Sequence, residues 1–160
     1  MYGIHRAINQ KKFKSEGHKS IVSILYLSNF IKNYHSSQFK KHKITPQQYN
    51  ILRILRGSHP MPLTIGILKD RMLDKMCDAS RLVDRLEKLQ LAKRVENTED
   101  RRAVNVNITE LGLQVLSNID LEEDKSNSVI DVLSADEVLH LNALMDKLID
   151  LHLPSTVSHS

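Results

Sequence analysis

Two stretches of the chain carry side chains suited to a polyanion. Lys75, Cys77, Asp78, Ser80 and Arg81 fall within one helix-periodic segment, and Asp100-Arg101-Arg102 sets two guanidinia beside a carboxylate. Arg81 has the planar fork that matches the two acceptors on a guanine edge, worth roughly 1–3 kcal/mol of discrimination, and the Ser80 hydroxyl can meet a base or a phosphate. Asp78 would have to accept from a cytosine amino group or orient a neighbouring base-reading side chain. Asp100 stands two residues before Arg102 and could hold that guanidinium ready for a narrow minor groove, where the negative potential is enhanced. Each set also has a plain alternative: a solvated helix face for the first, and for the second an exposed ion pair worth ~0–1 kcal/mol.

Such side chains act only when a scaffold holds them, and helical periodicity dominates the scaffold. From Ser20 towards Lys41, the residues Ile21, Ile24, Leu25, Leu27, Phe30, Ile31 and Tyr34 recur at three- and four-residue spacing. That stripe is too apolar to face water alone. Thr45-Pro46-Gln47-Gln48 opens the next helix, with Thr45 as cap, Pro46 in the first turn and Gln48 completing a capping box. Tyr49, Leu52, Ile54 and Leu55 carry it to Gly57, and Ser58-His59-Pro60-Met61-Pro62 stops it. A third short helix is expected from Thr64 to Met72. A fourth, from Asp74 or Lys75 through Gln90, gathers Ala79, Leu82, Val83, Leu86 and Leu89 on one side and Cys77, Ser80, Arg81, Asp84 and Lys88 on the other.

The period then changes to two. Ala103 to Ile108 alternates strictly and can pair with Ala92 to Glu96, giving a β-hairpin with a charged tip. Thr109 caps a long helix carrying Leu111, Val115, Leu116 and Ile119, in which Gly112 is expected to weaken the first turn by up to ~1 kcal/mol. A second capping box, Ser134 to Glu137, opens a final helix with Val138, Leu141, Leu144, Met145, Leu148 and Ile149. Three short helices, the last with a polar face, followed by a basic-tipped hairpin predict a mainly α fold with a small β-hairpin wing, a winged helix-turn-helix. A helix fits the major groove, and a narrow charged loop fits the minor groove or the backbone.

Composition narrows the classes further. The chain has 160 residues, 41% apolar and 26% charged, the profile of one globular domain. No apolar run approaches the roughly 20 residues of a membrane span, and the N-terminus lacks the apolar core of a secretory signal, so no membrane partner and a cytoplasmic location are expected. The net charge of +4 is unevenly spread. Residues 1–43 hold nine Lys or Arg against one acid, residues 44–109 hold twelve against eight, and residues 110–160 hold two against ten. No Gly-rich phosphate loop, HExxH, Gly-x-Ser-x-Gly or Cys/His nucleophile pattern is present, so no enzyme is expected. The eight histidines form no His-x-x-His or His-x-x-x-His pair, and the nearest local candidate is Asp136 with His140, so neither a metal nor another cofactor is expected. Cys77 is the single cysteine, which excludes a disulfide framework. It is also a candidate redox thiol, its pKa lowered by a helix N-terminus and by Lys75, although no second cysteine could resolve a sulfenic acid.

Residues 78–88, then Leu91-Ala92-Lys93-Arg94, then Asp100-Arg101-Arg102 through Ile108-Thr109-Glu110-Leu111-Gly112 closely resemble the multiple-antibiotic-resistance regulator (MarR) family, as does Ile44 to Leu52 upstream. The resemblance implies a homodimeric transcriptional regulator, usually a repressor, bound to palindromic double-stranded DNA. It puts Cys77, Asp78, Ser80 and Arg81 on the recognition helix and Asp100 and Arg102 on the wing. Cys77 and Asp78 depart from the small hydroxyl residues common there. It covers residues 18–152 as a single domain, and the ends on either side, 1–17 and 153–160, are expected to be flexible tails. Within that domain, 45–109 form the DNA-binding part, and 18–43 and 110–152 form dimerisation helices. Family members often release DNA when a small aromatic or anionic effector enters the cleft beside those helices, which makes Tyr26, Phe30, Tyr34 and Tyr49 candidate lining residues. Ordinary core packing is the alternative for all four aromatics. The rival to a specific regulator is a sequence-independent DNA-binding or protein-interaction module on the same fold.

Overall fold

The computed structural model describes residues 3–97, 103–123 and 129–151. The wing-tip candidates Asp100, Arg101 and Arg102 and the tail expected over 153–160 lie outside them. The chain divides into two compact units, Met1–Glu122 and Glu123–Ser160. The first holds α1 (Ile4–Ala7), α2 (Glu16–Lys41), α3 (Pro46–Ser58), β1 (Leu63–Thr64), α4 (Ile65–Arg71), α5 (Ala79–Lys88), β2 (Ala92–Glu96), β3 (Val104–Ile108) and most of α6 (Glu110–Glu123). The second holds α7 (Ala135–Asp150). The architecture is mainly helical with one small antiparallel sheet, as expected.

Local signals set most helix starts. Thr45 and Gln48 exchange both hydrogen bonds of the capping box on α3, and Ser134 and Glu137 do the same on α7. Residues 3–17, expected to belong to a flexible tail, instead include α1, with Ile4 buried, and the first turn of α2. Phe13 stands edge-on to both His5 and His18, and the Ser15 hydroxyl caps α2 by accepting from the His18 amide at 3.1 Å. That cap starts α2 at Glu16, four residues before Ser20, from which the apolar periodicity is read.

The sheet runs in the order β1-β3-β2. The hairpin has the expected pairing, Ala92 opposite Ile108 and Glu96 opposite Val104. Strand β1 is an addition: Leu63 and Thr64 pair with Val106 and Asn105 immediately before α4, and Thr64 also caps that helix. Two residues are too few for an alternation to show in sequence.

The core lies among α3, α4, α5, β3 and α6. Ile51, Leu52 and Leu55, then Leu68 and Met72, Val83 and Leu86, Val106 and Ile108, and Leu116 and Ile119 are all buried there. Gly112 belongs to this packing. A Cβ at Gly112 would stand 2.2 Å from the Leu91 carbonyl oxygen and 2.7 Å from Ile108 Cγ1, so glycine lets α6 close onto the end of the hairpin. The helix-weakening glycine expected from propensity is thus also a spacing requirement. Gly112→Ala is expected to destabilise the protein by about 1–3 kcal/mol, read as a lower urea midpoint. Gly66→Ala, whose new Cβ would meet only Thr64 Oγ1 at 3.8 Å, is expected to be neutral or stabilising by up to about 1 kcal/mol. Equal midpoints for the two variants would refute the spacing requirement.

Candidate nucleic-acid interface

Helix α5 has two faces of opposite chemistry. Ala79, Val83 and Leu86 are buried, while Ser80, Arg81, Arg85 and Lys88 are exposed. The helix begins at Ala79 rather than at Asp74 or Lys75, and its local hydrogen bonds explain why. Asp78 is the N-cap, its Oδ1 accepting from the Arg81 amide at 3.1 Å, a side-chain bond that belongs to an extended residue and not to a helical one. Ahead of it, Asp74 accepts from the Met76 amide at 3.0 Å and from Cys77 Sγ at 3.1 Å, which closes a separate turn. Of the five candidates expected on this helix, only Ser80 and Arg81 are on it. Lys75 and Cys77 sit in the preceding turn, where Lys75 Nζ donates to the Asp70 carbonyl.

The far end of α5 is also set by backbone geometry. Gln90 adopts φ of 60°, its amide donates to the Glu87 carbonyl at 2.8 Å, and the Leu91 amide donates to the Leu86 carbonyl at 2.9 Å. This is a Schellman closure with Leu86 and Leu91 both buried, and it ends the helix before Gln90. The chain then turns back along α5 as β2.

Charges on this surface are paired selectively. Asp78 Oδ2 lies 3.4 Å from Arg81 Nε, so the capping carboxylate also steadies the guanidinium. That exposed pair contributes little stability by itself. Arg94, absent from the candidates, reaches from β2 to Asp84 at 2.6 Å and Glu87 at 2.7 Å on α5. The usable sequence signal was the pair of acids one turn apart on a helix followed closely by an arginine-bearing strand.

The aromatic candidates divide. Tyr34 stands edge-on to His35, His35 stacks on Phe39, and Phe39 stacks on Tyr49 at 4.2 Å. Tyr26 and Phe30 are exposed on the apolar stripe of α2 with Ile21, Ile24, Leu25 and Leu27, so the alternative of intrachain core packing does not hold for them. An open cavity of about 320 Å³ lies between α4 and the start of α5, and none of the four aromatics lines it. Among the described residues no three His, Cys, Asp or Glu side chains converge as metal ligands, and no helix is long and apolar enough to cross a membrane.

Helices α3 and α4 leading into α5 with its exposed polar face, followed by a hairpin with a short third strand beside it, define a winged helix-turn-helix, a DNA-binding class of fold. The MarR family model matches residues 44–104. The transcriptional regulator PecS of Dickeya dadantii is 31% identical over 120 residues, spanning 72% of this chain and 70% of PecS. The regulator MgrA of Staphylococcus aureus is 31% identical, spanning 74% of this chain and 80% of MgrA. The crystal structure of a MarR transcription factor from Planctomyces limnophilus superposes with a TM-score of 0.63 at 29% identity, covering 84% of this chain and 98% of that one. The chain belongs to the MarR family of DNA-binding transcriptional regulators, a family of regulators and not of enzymes.

The redox expectation for Cys77 changes direction. Its hydrogen bond to Asp74 pushes the thiol pKa up from its ordinary value, with burial and the carboxylate charge adding to the shift. The same bond holds the Asp74 carboxyl below its usual range. A raised pKa leaves less thiolate at neutral pH, the opposite of an activated thiol. Asp74→Asn is therefore expected to speed iodoacetamide labelling of Cys77 at pH 7. A labelling rate equal to or below that of the unaltered protein would refute the assigned cause.

Proposed function

We propose that the chain acts as a homodimer that binds a palindromic double-stranded operator, seats α5 of each copy in the major groove, and represses transcription until a small aromatic or anionic effector releases it. The carrying observation is the exposed polar face of α5, where Ser80 and Arg81 stand over a buried seam that fixes the helix. Ser80 and Arg81 read base edges in this proposal. Asp78 orients Arg81, while Lys75 and Cys77 approach the backbone from the turn. Asp100, Arg101 and Arg102 serve the wing.

The apolar stripes support the dimer. On α2, Leu25 is 59% exposed and Phe30 is 49% exposed, and on α7 no residue is buried within the chain. Residues 18–43 and 110–152 would cover these stripes against a second copy, and a two-fold dimer would present two recognition helices at the half-site spacing of one helical turn. An effector would act at the aromatic stack that joins α2 to α3, where Tyr34 and Tyr49 are half-buried, with Tyr26 and Phe30 nearer the dimer seam.

Selection of duplexes from a random pool, followed by competition binding, tests the proposal. The recovered operator is expected to bind ~10³-fold or more tightly than random duplex. A preference near unity would favour the sequence-independent module instead. Arg81→Ala is expected to relax base preference, and Arg102→Ala to weaken binding and lower the salt slope by about one unit. Wild-type behaviour in both variants would overturn the docking arrangement. Light scattering is expected to give twice the 18.4 kDa chain mass, and a stable particle of 18.4 kDa at micromolar concentration would defeat the dimer.

A further inference from the structure

We propose that Arg94 is a positioning residue for operator recognition, locking the recognition helix to the first strand of the wing without itself contacting DNA. The proposal rests on the reading that α5 and the wing engage DNA together. Its basis is the number and placement of the contacts. Arg94 Nη2 lies 2.6 Å from Asp84 Oδ1, and Nη1 donates to Glu87 Oε2 at 2.7 Å. The Arg94 backbone amide donates to the other Glu87 oxygen, Oε1, at 2.9 Å. The Ser80 hydroxyl stands 3.5 Å from Nη2, at the edge of hydrogen-bond reach.

The three α5 partners, Ser80, Asp84 and Glu87, follow one another at four- and three-residue steps and so form one stripe along the helix. A single guanidinium spans that stripe, while the strand backbone bonds to the same Glu87 carboxylate. This arrangement resists both rotation of α5 and sliding of β2 along it, because either motion breaks charge-assisted bonds whose planar fork tolerates little misalignment. Arg94 also sits in the hairpin ladder opposite Val106, which is fully buried, so the strand end of the clamp is anchored in the core. Both carboxylates hold the guanidinium against the helix, with 33% of the side chain left exposed. A phosphate would have to displace a carboxylate to reach it.

The discriminating readout is the salt dependence of binding. A direct phosphate contact adds about one unit to the slope of log K against log salt, whereas a clamp adds none. Arg94→Met is expected to lower operator affinity at least about tenfold, to leave random-duplex affinity nearly unchanged, and to keep the salt slope of the unaltered protein. Arg94→Lys keeps the charge and one ion pair but not the fork. It is expected to unfold at nearly the wild-type temperature and still to lose operator preference, so it decides the matter if Arg94→Met does not fold. Adding Asp84→Asn and Glu87→Gln to Arg94→Met removes the two stranded acids, and operator preference is expected to stay low.

Three results would overturn the proposal: a slope reduced by about one unit, wild-type operator preference in Arg94→Lys, or recovery of preference in the triple variant. If the unaltered protein itself shows no operator preference, the reading of a specific regulator fails, a result separate from these three.

Discussion

Everything outward on α5 depends on the seam that holds its inner face. Ala79, Val83 and Leu86 are buried in one core cluster with Ile51, Leu52 and Leu55 of α3 and Val106 and Ile108 of β3. Burying a Val or Leu side chain contributes roughly 1.5–3 kcal/mol each, before the conformational entropy that opposes it. Successive helix positions are turned by about 100°, so a slip of one residue would carry Ser80 and Arg81 towards the core and expose the seam. The Asp78 cap and the left-handed Gln90 close both ends of the helix and leave no slack for such a slip.

The winged module is fastened to α6 by a different kind of contact at each end. Thr109 donates its hydroxyl to the Gln90 carbonyl at 2.7 Å and accepts from the Gly112 amide at 3.0 Å, so one residue joins the end of α5 to the start of α6. Two turns further along, Asp120 is held between Arg53 at 3.0 Å and Arg56 at 2.6 Å on α3. Glu122 meets Lys41 and His42 at the end of α2. The acidity beyond Thr109 is therefore spent, in part, on cations of the same chain. A displacement of α6 would strain two arginines that sit on α3, the helix bracing α5.

How much of this could be read from the residues alone depends on the range of the interaction. The two capping boxes were legible because each is made within four residues, and the hairpin was legible because its alternation and its pairing partner are adjacent in sequence. The start of α5 was not legible. A hydrophobic wheel cannot tell an aspartate in the first helical turn from one that caps it, and the turn built by Asp74 extends the apparent helix backwards. Gly112 reads locally as a cost, since the Leu91 carbonyl that it accommodates comes from a distant turn. The outward placement of Ser80 and Arg81 was legible because exposure follows from the wheel, whereas the pairing of Arg94 was not, because its partners lie on another element. Cys77 was misjudged in direction for the same reason: its position suggested a helix dipole, while the deciding group is the Asp74 carboxylate.

These pairings also change what the charge distribution means for a polyanion. Residues 44–109 hold twelve basic side chains, yet Arg53, Arg56 and Arg94 are tied into internal ion pairs, and Arg71 and Lys75 donate to oxygens of their own neighbourhood. Among the described residues, Lys69, Arg85, Lys88 and Lys93 are exposed without an ion-pair partner, and Arg81 carries only a solvent-exposed one. Counterion release scales with the phosphates actually neutralised and not with net charge. In the proposed docking, affinity for DNA of any sequence comes from these few exposed cations together with Arg101 and Arg102 of the wing. In the same docking, discrimination rests on how rigidly the buried seam presents Ser80 and Arg81. The internal ion pairs would remove cations from the first term and add rigidity to the second, so that the proposed docking leans on selective contact more than on general attraction.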